Sequence, residues 1–351
     1  MSGDLNLEHR YRRVLRLLPA YYRGKWEEDM VAAFLDSWLT GDREDDEAIL
    51  EFCRPTWQET ASVAGLAVRL HLGGAGAPRR YFAWEQAVRN AVLVVVLMHS
   101  ARSVDAFVRL AWARRLFGIP GPPAYIAIAP PGGFWPSAFR VVDYVWIMIF
   151  VLLILGHNRT ARVFAALAIV PDLVAVVQAQ LNGTLQGAFG SWAFWVLLDL
   201  APVLAMAAFY RDAPPAARKP WLLALPAGYL LVFAPVLAAE VTGNVVWLPD
   251  FAGLCCALVA LACLAHTPKA WSRDSTGSGV WSLTLALLAA VTGLFRLASL
   301  GDYQHDPHLM TVSLAELLIV VVAAALVVPD ATRAQTAVPA QSAYPRLGWK
   351  P

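Results

Sequence analysis

The chain has 351 residues, of which 58% are hydrophobic and only 15% are charged. This composition is too apolar for a soluble domain and indicates a membrane protein. Residues 1–80 carry 13 of the 26 acidic side chains, which predicts a water-exposed segment ahead of the membrane domain. Because the charges are segregated in this way, the formal net charge of +2 indicates no nucleic-acid partner.

Apolar side chains at helical spacing predict three or four short amphipathic helices in residues 1–80. The first helix ends at Pro19, because proline cannot continue a helix. The second runs from about Tyr22 to Leu39, a third starts in the acidic run 42–47, and a fourth starts near Pro55. The second helix carries an apolar stripe: Trp26, Met30, Phe34 and Trp38.

Two arrangements of these helices are open: a small bundle, or helices that lie along the membrane surface. The first helix contains Arg10, Arg12, Arg13 and Arg16, which favour contact with anionic lipid. The alternative is a solvated helical cap packed on the cytoplasmic loops. Membrane lipids are therefore the expected partners, and the helices leave room for a protein partner.

The stretches Arg13–Arg23 (RVLRLLPAYYR) and Trp26–Met30 (WEEDM) resemble the opening segment of a group of uncharacterised actinobacterial multipass membrane proteins. A similar segment, RLLP-x-x-YR…EEM, precedes some bacterial permeases of the macrolide-exporter type. Those permeases have a large extracytoplasmic domain after the first span, where this chain has only residues 103–137. The resemblance therefore implies a multipass membrane fold but neither a permease role nor any site residues.

Two apolar runs, 141–156 and 162–179, are joined only by the polar residues 157–161. A helix of about 20 apolar residues satisfies its own backbone hydrogen bonds in lipid, so these runs predict a transmembrane hairpin. The same criterion predicts eight spans, at approximately 84–102, 138–156, 161–179, 190–210, 220–240, 246–266, 280–300 and 311–328.

Lysine and arginine in short loops mark the cytoplasmic side of a membrane protein. The loops after spans 2, 4 and 6 contain such residues, whereas the loops at 180–189, 241–245 and 301–310 contain none. This alternation predicts a plasma-membrane protein with both termini in the cytoplasm.

The predicted fold is therefore an all-α polytopic transmembrane bundle of about eight helices. Residues 1–80 form a small cytoplasmic helical segment, residues 81–329 form the transmembrane domain, and residues 330–351 form a disordered tail. Arginines in the segment after span 1 depart from the charge pattern. We expect an amphipathic helix on the outer surface over Ser103–Phe117; the alternative is a longer span 1 in which Arg102, Asp105 and Arg109 pair within the protein.

Ionisable residues inside apolar spans are costly in lipid and indicate partners or a polar cavity. The candidate ligand-binding residues are Asp143, Asp172, Asp199, Glu240, Arg296 and Glu316. The hypothesis is a cavity open to the outside, with the acids lining it and Arg296 as a counter-charge. It would bind a cationic or polar ligand, or relay protons. The alternative is that these groups form interhelical ion pairs or lie at the membrane interface.

The leading functional prediction is a non-enzymatic membrane component: a transport or ligand-binding protein, or a partner in a signalling complex. The alternative is an intramembrane enzyme that acts on a lipid-linked substrate, with Asp172 or Asp199 as an acid/base group. The sequence contains no nucleotide-binding glycine loop, GxSxG or HExxH motif, and it predicts no cofactor. The four cysteines and the pair His305 and His308 lack the spacing and number of ligands that a metal site requires.

Overall fold

The computed structural model describes residues 7–39, 43–71, 79–115, 142, 144–181, 196, 200–206, 209, 218–242, 251–271, 278–303 and 306–336. All regular secondary structure within these residues is helical, as the apolar spacing predicted. The chain divides into two compact units, residues 1–85 with 330–351 and residues 86–329.

The first unit contains four helices that share one hydrophobic core. The helices are α1 (Leu7–Leu15), α2 (Ala20–Trp38), α3 (Arg43–Phe52) and α4 (Trp57–His71). Leu7 and Leu15 are fully buried on α1, and Tyr11 stacks on Phe34 of α2 with ring centroids 3.9 Å apart. These four helices therefore form a small bundle. Trp26, on the predicted stripe of α2, is instead 41% exposed.

Polar contacts tie the helices of the first unit together around Arg12. Its guanidinium hydrogen-bonds both carboxylate oxygens of Glu28 at 2.8 Å and one oxygen of Glu8 at 2.9 Å. These hydrogen bonds raise the pKa of Arg12 and lower the pKa of the Glu28 carboxyl. On the other side of the unit, the Tyr21 hydroxyl donates to the Leu70 carbonyl at 3.3 Å.

The α-helices described from residue 79 onward range from 9 to 35 residues in length. They are α5 (Arg79–Ala113), α6 (Val145–Leu155), α7 (Asn158–Ala168), α8 (Val170–Leu181), α9 (Arg218–Gly228), α10 (Ala234–Thr242), α11 (Phe251–Trp271), α12 (Ser278–Ser299) and α13 (Pro307–Thr336). A π-helical turn, Tyr229–Phe233, joins α9 to α10 and lies between Pro226 and Pro235. Since proline lacks a backbone N–H, a wider turn between these prolines is an expected response.

A helical hairpin is present at the predicted position as α6 and α7, with a shorter turn than the polar residues indicated. Gly156 ends α6 at φ 88°, and its N–H bonds to the carbonyls of Leu152 and Leu153. A glycine adopts this left-handed conformation without the steric cost that a side chain adds. The chain then reverses within Gly156 and His157.

Buried alanines on α7 (Ala161, Ala165 and Ala168) pack in the same core as Ile149 and Phe150, since small residues allow close helix contact.

Among the residues that the structure describes, four helices are long and apolar enough to cross a membrane: Ala83–Trp112, Arg218–Ala238, Gly279–Ser299 and Pro307–Arg333. Two shorter apolar segments, Val145–Leu155 and Ala252–Pro268, fall on two more of the predicted spans. The predicted span 161–179 lies on α7 and α8, which are separated at Ile169, next to Pro171. Most of the predicted span 190–210 lies outside the described residues.

Two sequence expectations about helix ends differ from the structure. Residues 103–113 do not form the separate surface helix expected over Ser103–Phe117, because α5 continues as one helix to Ala113. The structure therefore matches the alternative in the length of this helix and in the pairing of Arg109 with Asp105 one turn earlier at 2.6 Å, whereas Arg102 forms no ion pair within the described residues. At the other end of the chain, α13 continues through Pro329 to Thr336, so residues 330–336 of the predicted disordered tail are helical.

Candidate functional site

An apolar groove of about 350 Å³ lies between one face each of α5, α11 and α12. Its walls are aliphatic and aromatic: Val94, Val95 and Met98 from α5, Leu258, Val259 and Ala262 from α11, and Trp281, Leu285, Leu288 and Phe295 from α12, among others. At about 1.5 Å per residue, the wall of α12 from Trp281 to Phe295 is about 21 Å long. The groove is therefore long, narrow and lined almost entirely by apolar side chains.

The polar side chains of the groove are concentrated toward one end, where α5 contributes His99 and Arg102. The His99 ring stacks on Trp146 of α6, with ring centroids 4.4 Å apart and planes 19° from parallel. The Ser100 hydroxyl donates to the Trp146 carbonyl at 2.9 Å and to the Val96 carbonyl at 2.7 Å. These contacts hold this turn of α5 firmly against α6.

Arg102 is exposed at this end of the groove. Within the described parts of the chain, its guanidinium forms neither a hydrogen bond nor an ion pair. The next arginine on α5, Arg109, is by contrast occupied by Asp105. The groove thus combines an apolar channel with one uncompensated positive charge.

Two of the candidate residues from the sequence meet directly. The Arg296 guanidinium on α12 forms an ion pair with the Glu316 carboxylate on α13, and the two side chains are 3% and 17% exposed. Arg296 was expected to act as a counter-charge to an acid on another helix, and its acid is Glu316. The pair lies one turn beyond Thr292, which lines the groove, and neither Arg296 nor Glu316 lines it.

The structure leaves the other candidates without a described side chain. Asp143 and Asp199 lie outside the described residues. Asp172 and Glu240 belong to α8 and α10, and their side chains are also outside the described part. A shared cavity of acids therefore stays a prediction.

Sequence reasoning missed the groove and a buried cation beside the hairpin core. Arg89 on α5 is 7% exposed, and its guanidinium lies 5.0 Å from the centroid of the Phe209 ring. A charge within a predicted span was the signal that could have identified it. The groove had no such signal, because its walls are ordinary aliphatic residues from three separate helices.

The segment that contains His305 and His308 has a structural role at Asp306. Asp306 accepts hydrogen bonds from the backbone N–H groups of His308 and Leu309, at 3.0 and 3.1 Å, and so caps the start of α13. His305 lies outside the described residues. Among the residues that the structure describes, no group of three or more His, Cys, Asp or Glu side chains could hold a metal ion.

The fold and the hydropathy of its helices define an all-α membrane protein. No protein-family model, curated protein or solved structure matches the chain.

Proposed function

We propose that this chain is a non-enzymatic, ligand-binding membrane protein, and that its ligand is a single-chain amphiphile with an anionic headgroup, such as a fatty acid. The observation that carries the proposal is the groove between α5, α11 and α12, with apolar walls and the free guanidinium of Arg102 at its end. The apolar tail of the ligand lies along the walls, and its carboxylate pairs with Arg102.

Several physical arguments support this ligand class. The volume of about 350 Å³ lies in the range of small-molecule pockets. A long, narrow apolar channel fits one extended hydrocarbon chain better than a compact polar ligand. A guanidinium at the end of an apolar groove favours an anion, because a charged donor forms a shorter and stronger hydrogen bond to a carboxylate than a neutral donor does.

We further propose that the protein resides in a bacterial plasma membrane, crosses it eight times and keeps both termini in the cytoplasm. The support is the alternation of basic and uncharged loops along the sequence. The resemblance of the N-terminal segment to actinobacterial multipass proteins supports the bacterial origin. In this topology Arg102 lies toward the outer face, so the ligand headgroup is presented on that side.

Filling the groove tests the proposal. The full chain in phosphatidylcholine nanodiscs is titrated with radiolabelled palmitate, and saturable binding is measured. Ala262→Trp places a large side chain in the groove, and we expect saturable binding to fall by about tenfold or more. The matched control is Leu261→Trp on the same helix, because Leu261 is 62% exposed and does not line the groove. Equal binding by the two variants, or no saturable binding by the wild type, would contradict the proposal.

A further inference from the structure

A second concave site lies in the first unit, far along the sequence from the groove of the second unit. Six residues surround about 430 Å³ of space: Arg10, Arg13, Val14, Arg54, Pro55 and Thr60. Arg10 and Arg13 are one turn apart on α1, whereas Arg54 belongs to the connection between α3 and α4. This set is called the basic pocket below. Half of its lining residues are arginines.

The positive charge of the basic pocket is not compensated by the described acids. Arg10, Arg13 and Arg54 form no ion pair within the described residues. Arg12, on another face of α1, shows what compensation looks like in this unit, since it binds Glu8 and Glu28. Two neighbouring arginines on α1 therefore have different surroundings. Arg12 pairs with carboxylates of α1 and α2, whereas Arg13 lines the open space of the pocket.

The pocket is also held in shape by contacts on both sides. The Arg10 guanidinium donates to the Cys53 carbonyl, which joins α1 to the residue before Arg54. The nearby acid on α4, Glu59, is turned to other partners: it accepts hydrogen bonds from the Thr56 N–H at 2.6 Å and from the Trp38 indole at 2.9 Å. Glu59 does not line the pocket. The described acids thus leave the three arginines of the pocket without an ion-pair partner.

We infer that the basic pocket binds a phosphate group, as a phosphomonoester or the headgroup of an anionic lipid. Arginine forks match the oxygens of phosphate in two-pronged hydrogen bonds, and phosphate carries the multiple negative charge that three guanidiniums complement. A carboxylate has one oxygen fewer than a phosphomonoester and carries less negative charge. This site is independent of the proposed amphiphile groove, which lies in the other unit.

The experiment uses the full chain and supplies the phosphate group in two forms, as a soluble ion or ester and as a lipid headgroup. In one arm, the protein in phosphatidylcholine nanodiscs is titrated with inorganic phosphate and with glycerol 3-phosphate by calorimetry. In the other arm, the protein is purified from nanodiscs that also contain phosphatidic acid, and retained lipid is counted by native mass spectrometry. The test variants are Arg13→Gln and Arg54→Gln. The matched control is Arg16→Gln, since Arg16 is exposed at the end of α1 and does not line the pocket.

We expect each test variant to weaken phosphate binding by about tenfold or more and the control by less than about twofold. Loss in the titration arm identifies a soluble phosphate ester, and loss confined to the lipid arm identifies a headgroup. Arg54→Lys keeps the charge but removes the fork, so we expect an intermediate affinity from a variant that folds as the wild type does. Absence of binding in both arms, or an equal loss in Arg16→Gln, would overturn the inference.

Discussion

Arg296 and Glu316 are the residues on which the sequence and the structure agree most directly. Each is a charged side chain inside an apolar helix, where an isolated charge is costly. In the structure they neutralise each other across α12 and α13, and Arg296 is almost wholly buried. The pair therefore holds two helices in register. This matches the interhelical ion pair that was the alternative to a ligand-binding role for these two residues.

Removing one partner of this pair predicts a large loss of stability. Glu316→Gln leaves the Arg296 charge buried without its carboxylate, and we expect a loss of about 3 kcal/mol in the free energy of unfolding. Replacing both partners, as Arg296→Met with Glu316→Leu, removes the buried charge as well and should restore most of that loss. Denaturation of the full chain in mixed micelles measures both variants. If the double variant is no more stable than the single one, the pair is not what stabilises this contact.

At this scale the sequence could predict that Arg296 needs an acid but not which acid it meets. The partner depends on how α12 and α13 are aligned, and the predicted spans contain several other acids. The uncompensated arginines, Arg102 and Arg54, were harder still. Their significance comes from the lack of a described carboxylate beside them in space, and the sequence alone carries no measure of that.

Among the elements, α4 has a well-defined start. The Thr56 hydroxyl accepts from the Glu59 N–H at 3.2 Å, and the Glu59 carboxylate accepts from the Thr56 N–H, which together form a capping box. Burial alone would raise the pKa of Glu59, but hydrogen bonds from the Thr56 N–H, the Trp38 indole and the Thr56 hydroxyl outweigh it and lower this pKa. Ionised Glu59 is thus favoured in the folded unit.

This lowered pKa predicts that α4 loses stability in acid. Since the folded pKa of Glu59 lies below its unfolded value of about 4.3, the stabilisation is fully present above that pH and is lost as the pH falls through the folded pKa. Hydrogen exchange of the α4 amides, corrected for the intrinsic pH dependence, should show weaker protection in that range. Glu59→Gln should remove this pH dependence, whereas Glu51→Gln, an exposed acid on α3, should retain it. An unchanged pH profile in Glu59→Gln would assign the effect to another group.

Among the longer segments, the α6–α7 hairpin was predictable from the sequence pattern and the length of α5 was not. The α6–α7 hairpin was predictable, because two apolar runs with a short polar link have few other solutions in a membrane. The expectation of a separate surface helix over Ser103–Phe117 was wrong for residues 103–113, since their arginine is accommodated within one long helix. Asp105 is 8% exposed there and bonds Arg109 one turn on. An i, i+4 pair compensates charge without ending a helix.

For the whole molecule, the proposed topology decides which side of the membrane each helix end faces. Eight crossings with basic loops inside predict that a β-galactosidase fused after Pro351 is active and an alkaline phosphatase there is inactive. Fusions in the 180–189 loop should give the reverse. An active phosphatase after Pro351 would place the tail outside and overturn the cytoplasmic assignment of the termini.

The proposed function depends most on the pairing of Arg102 with the headgroup of a ligand in the groove. The direct measurement compares the affinities of palmitate and its uncharged methyl ester for the wild type, Arg102→Gln and the control Arg114→Gln, all in nanodiscs. Arg114 is exposed near the end of α5 and does not line the groove. We predict that Arg102→Gln weakens palmitate by about tenfold, leaves the ester unchanged, and differs from Arg114→Gln. Equal losses for acid and ester, or no loss for either, would contradict the proposed function.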